Sequence, residues 1–299
     1  MKVNRLNPEC ISCLVKKYIE GYPDNISKDE KLEYMQGVMR LIAEAPKTVS
    51  APEIVNEINR LQEKMFGAGR DYSDIKHYFN KLMLDTEPML KKELDRAEDA
   101  LMMAVRYVMM GNYIDFGAMD KVDENKLREL IENAEDIKVN DAEFESLRRE
   151  LMNAETLVYL TDNCGEIVLD KLLISVIRQI NPSLEITAIV RGADVLNDAT
   201  VTDAEQAGLT ELVNVIGNGS NIAGTCLDKI SEEARSLIDS ADVIISKGQG
   251  NFETLHKCGR NIYYIFMCKC KMFADRFGVP RYSGMLINDK SFIEMEANI

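Results

Sequence analysis

The stretch YLTDNCGEIVLDKL, residues 159–172, sets an acid, an amide and a thiol side by side as Asp162, Asn163 and Cys164. Gly165 and a second acid, Glu166, follow at once. Hard oxygen donors in such a cluster suit Mg2+, Mn2+ or a similar divalent ion. A soft thiolate is a poor partner for a hard ion, so Cys164 is not counted as a ligand. Two later stretches carry complementary groups. RGADVLNDATVTDAE (191–205) offers Arg191, Asn197, Asp198 and Asp203. SKGQGNFETL (246–255) offers Lys247, the uncluttered amides of Gly248 and Gly250, Asn251 and Glu253. A lysine beside a glycine-rich loop that opens a helix suits a phosphate, because free amides and the helix dipole both point at the anion. Metal plus phosphate cradle reads as phosphoryl chemistry, with the ion polarising a phosphoryl oxygen and activating a water for in-line attack.

These groups need elements that bring them together. From residue 157 the chain alternates short β-rich runs with helical stretches: 157–161, 185–190, 211–217, 242–248 and 261–267. Each run is continuously apolar, as expected of parallel strands covered on both faces. That predicts a three-layer α/β/α domain with a largely parallel sheet over 151–299, where ligands bind beyond the carboxyl ends of the strands. The candidate groups follow the first, second and fourth of these strands. Residues 1–150 read as a helical region, with helices over 28–45, 50–66, 71–84 and 86–110 and two more from about 123 and 141. Ser50 and Glu53 are spaced as a capping box, and Gly67 is placed to stop that helix. DYSDIKHYFN (71–80) and GNYIDFG (111–117) are the places from which groups could reach across to the site.

Each feature alone has a plainer reading. Asp162 and Asn163 could turn the chain and cap a helix. Asp198 could be a loop residue, Asp203 an early helix residue behind a Thr202 cap, and Lys247 a solvated lysine. What favours chemistry is the conjunction, since separate loops supply complementary groups at the edge the fold rule selects.

Composition narrows the partners. The chain has 299 residues, 46% hydrophobic and 29% charged, with a net charge of -14. That charge argues against a nucleic-acid partner, which needs clustered Lys and Arg. No apolar run approaches the roughly 20 residues that span a bilayer. The first residues lack the apolar centre of a signal peptide, so a cytoplasmic location is expected. Only two histidines occur, His77 and His256, and both read as structural. The spacing Cys10-x-x-Cys13, with Cys268 and Cys270 far along the chain, could make a four-thiolate structural Zn2+ site or a redox pair. Cys226 and Cys258 read as incidental thiols.

TDNCGEIVLDKLL, VLNDATVTDA, SKGQGNFETL and MCKC, in this order, resemble the damage-control phosphatase family, long known as a domain of unknown function. CISCL (10–14) and GNYIDFG resemble its prokaryotic stand-alone branch. The resemblance covers essentially the whole chain. It implies a helical N-terminal region joined to an α/β region, and hydrolysis of phosphate monoesters of small metabolites with a divalent metal. Carried over by motif, it places metal ligands at Asp162, Asn163 and Asp198. It places residues around the substrate at Glu166, Asn197, Lys247, Gly248, Gly250, Asn251 and Lys269.

The residue reading and the resemblance meet at the same atoms. The expectation is a phosphatase in which Asp162, Asn163 and Asp198 hold one ion (Mg2+, Mn2+, Co2+ or Ni2+). Lys247 and the loop amides would neutralise the transferred group, and Asp162 or Glu166 would orient or deprotonate the water. A sensor that binds a phosphometabolite or nucleotide without turnover stays open as the alternative. A Rossmann-type methyltransferase or dehydrogenase is weakened, because DNCGEI stands where G-x-G-x-x-G would follow the first strand.

Overall fold

A computed structural model of the chain describes residues 6–297 except 23–24, 68, 70 and 113–132. Its centre is a six-stranded sheet: β1 (Thr156–Leu160), β2 (Glu185–Val190), β3 (Asn214–Gly217), β4 (Val243–Lys247), β5 (Ile262–Met267) and β6 (Gly284–Asn288). The strand order is β3-β2-β1-β4-β5-β6, parallel throughout except for the antiparallel β5–β6 pair. Alternate residues of each central strand enter different cores. Leu157, Tyr159, Ile245 and Ile265 face one, and Val158, Leu160, Ile244 and Phe266 face the other. Apolar side chains on both faces demand cover on both, and helices supply it. The order reverses between β1 and β4, and the crevice at that reversal is where open α/β sheets bind ligands.

One face is covered by α4 (Ser73–Leu94), α5 (Ala100–Gly111), α6 (Asp141–Asn153), α7 (Glu166–Ile180) and α8 (Val201–Gln206). The other is covered by α9 (Glu232–Ser240), α10 (Gln249–Leu255), α11 (Lys271–Phe277) and α12 (Asp289–Ala297). Phe252 anchors that second core, with the rings of Tyr264, Phe266, Phe273 and Phe292 at 5.0–5.2 Å. His256 accompanies it, stacked on Phe252, with Nδ1 2.9 Å from the Phe252 carbonyl. Helices α1 (Pro8–Glu20), α2 (Lys28–Glu44) and α3 (Ala51–Phe66) close a third, smaller core around Tyr34 and Ile58. The cores therefore divide near residue 70, and α4–α6 belong with the sheet. No described helix is long and apolar enough to cross a membrane.

Several element boundaries differ from the sequence reading. Helix α1 contains Cys10 and Cys13, a segment with no predicted element. Helices expected over 71–84 and 86–110 are redivided: α4 runs on through Pro88 to Leu94, and α5 begins at Ala100. The break has a local cause, because the Asp99 side chain accepts the Met102 N–H at 3.1 Å and caps α5. β3 is shorter than the run 211–217, since Leu212 and Val213 donate their N–H groups back to Leu209 in a turn. β6 is an addition. The cap of α8 is Thr200 rather than Thr202, with its N–H on Asp203 Oδ2 at 2.8 Å. The helix expected from about 123, and residues 113–117 of GNYIDFG, lie outside the described residues.

Candidate active site

Loops after β1, β2 and β4 converge at the strand-order reversal. Asp162 and Asn163 leave β1, and the segment 197–199 straps across them. Cys164 N–H donates to the Asn197 carbonyl at 2.8 Å, and Ala199 N–H to the Asp162 carbonyl at 2.8 Å. Asn163 and Asp198 thereby form an antiparallel bridge. From the β4 side, Gly248 presses onto the same carboxylate. A Cβ there would stand 2.0 Å from Asp162 Oδ2, and its φ is +82°. Only glycine fits that position.

The side chains are buried and tightly connected. Asp162, Asn163 and Asp198 are 9%, 3% and 4% exposed. Asn163 Nδ2 donates to Asp162 Oδ2 at 2.8 Å and to Glu166 Oε2 at 3.0 Å, while its Oδ1 accepts Asn197 Nδ2 at 2.9 Å. Arg191, just past β2, donates Nε to Asp198 Oδ2 at 2.5 Å and Nη1 to Asn251 Oδ1 at 3.1 Å. Its Nη2 stands 3.6 Å from Asp162 Oδ1.

Lys247 and Glu166 lie one layer deeper, both fully buried. Lys247 Nζ donates to Glu166 Oε1 at 2.6 Å, Asp170 Oδ1 at 2.9 Å and the Val108 carbonyl at 3.2 Å. An ammonium has three donors, and all three are engaged. Burial works against that charge, but the carboxylates of Asp170 and Glu166 outweigh it and raise the Lys247 pKa above the usual lysine value. Burial pushes Asp170 up to about 6, the Lys247 charge working in the opposite direction. Tyr159 also donates to Asp170 Oδ1, at 2.7 Å.

The arrangement suits a divalent cation. Asp162, Asp198, Glu166 and Asp170 are four buried carboxylates against the two buried cations Arg191 and Lys247. The surplus of two formal negative charges is what one divalent ion would cancel, and buried charge demands such compensation. The donor set of two carboxylates and one amide oxygen is hard.

The structure places the remaining expected residues as follows. Asn251 donates Nδ2 to the Thr161 and Lys247 carbonyls at 3.0 and 2.7 Å, and Oδ1 accepts Thr225 as well as Arg191. It braces the loop. The Lys269 N–H donates to Gln249 Oε1 at 3.0 Å, joining the 268–270 turn to the glycine loop. Glu253 sits on α10 behind that loop and accepts Gln249 Nε2 at 2.7 Å.

Two asparagines of the helical half carry site geometry with no sequence signature of their own. Asn112, closing α5, donates to Asp162 Oδ2 at 2.8 Å and Glu166 Oε2 at 3.2 Å, and accepts the Met267 N–H at 3.1 Å. Asn80 of α4 accepts the Gly165 N–H at 2.6 Å and donates to Asp203 at 2.9 Å. They stand in GNYIDFG and DYSDIKHYFN. Asp170 had a signal available, one turn after Glu166 on the same helix face.

Cys10, Cys13 and Cys270 stand within electrostatic reach of one another, and Cys268 within reach of Cys270. The four thiols expected to hold Zn2+ are thus brought to one region, although among the described residues no three His, Cys, Asp or Glu side chains form a ready metal-binding group. Cys268 is drawn into the second apolar core, and Cys13 points outward from α1. Burial pushes the Cys10 and Cys268 thiols up to about 11. None of the seven cysteines is in a disulfide.

The sequence model of the damage-control phosphatase ARMT1-like domain matches residues 6–285. The chain belongs to the damage-control phosphatase family. An uncharacterized protein of Methanocaldococcus jannaschii is 32% identical over 95% of both chains. A damage-control phosphatase of Pyrococcus horikoshii is 30% identical over 94% of this chain and 97% of its own. One of Archaeoglobus fulgidus is 29% identical, covering 92% and 96%. The crystal structure of a DUF89 family protein from Pyrococcus horikoshii superposes with a TM-score of 0.78 at 28% identity, covering 95% of this chain and 99% of that one. The damage-control phosphatase family thus spans both the helical and the α/β parts described above.

Proposed function

We propose that the chain is a metal-dependent phosphatase hydrolysing phosphate monoesters of small metabolites, sugar phosphates and damaged phosphometabolites among them. The observation that carries this reading is the pair Asp162–Asn163 strapped to Asp198 at the strand-order reversal, within a buried cluster short of two positive charges. Family membership supports it independently.

Asp162, Asn163 and Asp198 would hold one ion, Mg2+, Mn2+, Co2+ or Ni2+. When bound, it supplies Lewis acidity toward a phosphoryl oxygen. The chain's own groups do the rest. Asp162, the most exposed of the three, would orient the attacking water. Glu166 has both oxygens engaged, by Lys247 on one side and Asn163 and Asn112 on the other. It holds Asn163 in position, and Lys247 holds Glu166. Water oxygen bonds to phosphorus, the ester P–O bond breaks, and the alcohol leaves with a proton beside inorganic phosphate. The Gly248 N–H donates to the Ile265 carbonyl at 3.0 Å, so any amide contact to the transferred group would come from residues 249–251.

The rest of the substrate would lie toward the helical half. A cleft of about 480 Å3 opens between Asn56, Asn59, Arg60 and Lys76 of the helical half and Asp194–Leu196 of the α/β half. It adjoins Asn197 and Asp198 in sequence.

Manganese titration of chelator-stripped protein, followed by electron paramagnetic resonance, tests the ligand assignment. One bound ion per chain is expected, lost in Asp198→Asn. Phosphate binding of equal strength with and without metal would instead mark a phosphometabolite sensor.

A further inference from the structure

Phosphoryl transfer needs a positive group on the phosphoryl oxygens, and the buried cation nearest the loops by sequence, Lys247, has no donor left to offer. Arg191 differs. It is 2% exposed, and its guanidinium is held on two edges, Nε by Asp198 at 2.5 Å and Nη1 by Asn251 at 3.1 Å and Thr225 at 3.4 Å. Its third nitrogen, Nη2, is buried and has no hydrogen-bond partner among the described residues. Asp162 Oδ1 stands 3.6 Å away, beyond hydrogen-bond range. An unsatisfied charged donor is costly to bury and persists in a well-packed site where a ligand completes it.

We propose that Arg191 is the cation that contacts the transferred phosphoryl group, its Nη2 donating to a phosphoryl oxygen beside Asp162. This rests on the phosphatase reading of the same site. The planar guanidinium suits phosphate better than an ammonium does, and three fixed partners orient it before substrate arrives. The same side chain ties together the loops after β1, β2 and β4, so the phosphate contact is aligned with the carboxylates that take the ion. Lys247 then has no direct role on substrate; its work is to hold Glu166 and Asp170.

Two measurements test this, one requiring no substitution. A crystal structure of the unaltered protein with Mn2+ and inorganic phosphate is expected to show Arg191 Nη2 at about 3 Å from a phosphate oxygen. A phosphate bound in the site with Nη2 bonded only to Asp162 would overturn the proposal. In solution, Arg191→Lys should keep Mn2+ affinity within a few-fold, yet lose at least roughly tenfold in phosphate affinity and about 100-fold in kcat/KM for an aryl phosphate. Loss of Mn2+ affinity with phosphate affinity intact would make Arg191 a brace for Asp198 and nothing more. Aryl phosphate turnover by the unaltered protein separates the two claims. With turnover but no Nη2–phosphate contact, only the Arg191 assignment fails. With the contact but no turnover under any metal, the phosphatase reading fails and the anion site stands.

Discussion

Lys247 Nζ lies 2.6 Å from Glu166 Oε1, and neither side chain reaches solvent. The contact places Lys247 beneath Glu166, the residue that accepts a hydrogen bond from Asn163. Removing one member of a buried, hydrogen-bonded ion group leaves its partners charged and unpaired, at about 3–5 kcal/mol. Lys247→Met is therefore expected to lower stability by about that much in urea unfolding. Adding Asp170→Asn should recover part of the loss, because it removes one orphaned carboxylate. A Lys247→Met protein as stable as wild type but inactive would return the lysine to the substrate.

Gly248 separates catalysis from stability. A methyl group there collides with Asp162 and also meets a backbone that side chains rarely adopt. Gly248→Ala should weaken Mn2+ binding and cut kcat/KM by about 100-fold or more, because the collision displaces an expected metal ligand and charged catalytic groups tolerate little misplacement. Gly259 has an equally positive φ of +79° but open space around its Cβ, so Gly259→Ala should leave both quantities near wild type.

Asn112 couples the helical half to the site through three hydrogen bonds, two of them to carboxylates. Asn112→Ala strands the Met267 N–H and loosens Asp162 and Glu166 together. A loss of about 2 kcal/mol in stability is expected, with activity falling more steeply than stability alone would explain. Unchanged turnover in the folded variant would show that α5 merely packs nearby.

Much of this was legible in the chain, and the parts that were not share a cause. Strands β1, β2, β4 and β5 announce themselves as apolar runs because both of their faces are covered, and the ligand-bearing loops follow from that pattern. The redivision of α4 and α5 is invisible because no glycine marks the break; a single Asp99 side chain makes it. β6 is a short edge strand whose identity depends on pairing with β5. Asn112 and Asn80 matter only through partners far along the chain, which spacing cannot reveal. The ion pairs of Lys247 with Glu166 and Asp170 were hidden for the same reason, since both partners are on a helix it meets only in the fold.

Glu253 supplies a pH signature. Burial raises its pKa from the ordinary 4.5 to about 7, against the Gln249 hydrogen bond that lowers it. A folded pKa above the unfolded one means its stabilising contribution is full below about 4.5 and is lost as pH rises through about 7. Glu253→Gln removes that titration. Its melting temperature should match wild type near the acid end and exceed it at pH 8, by the equivalent of up to about 3 kcal/mol. An equal effect at both ends would place the carboxylate in solvent.

The central claim is that Asp162 helps hold a divalent ion that makes this site a phosphatase. It is tested most directly by hydrolysis of an aryl phosphate by chelator-stripped protein. Mg2+, Mn2+, Co2+ and Ni2+ are added back singly, with Asp162→Ala alongside. Turnover should be absent without metal, return with at least one ion, and stay absent in the folded variant. A folded Asp162→Ala protein that turns over like wild type, or wild type that remains inactive with every ion, would contradict the account.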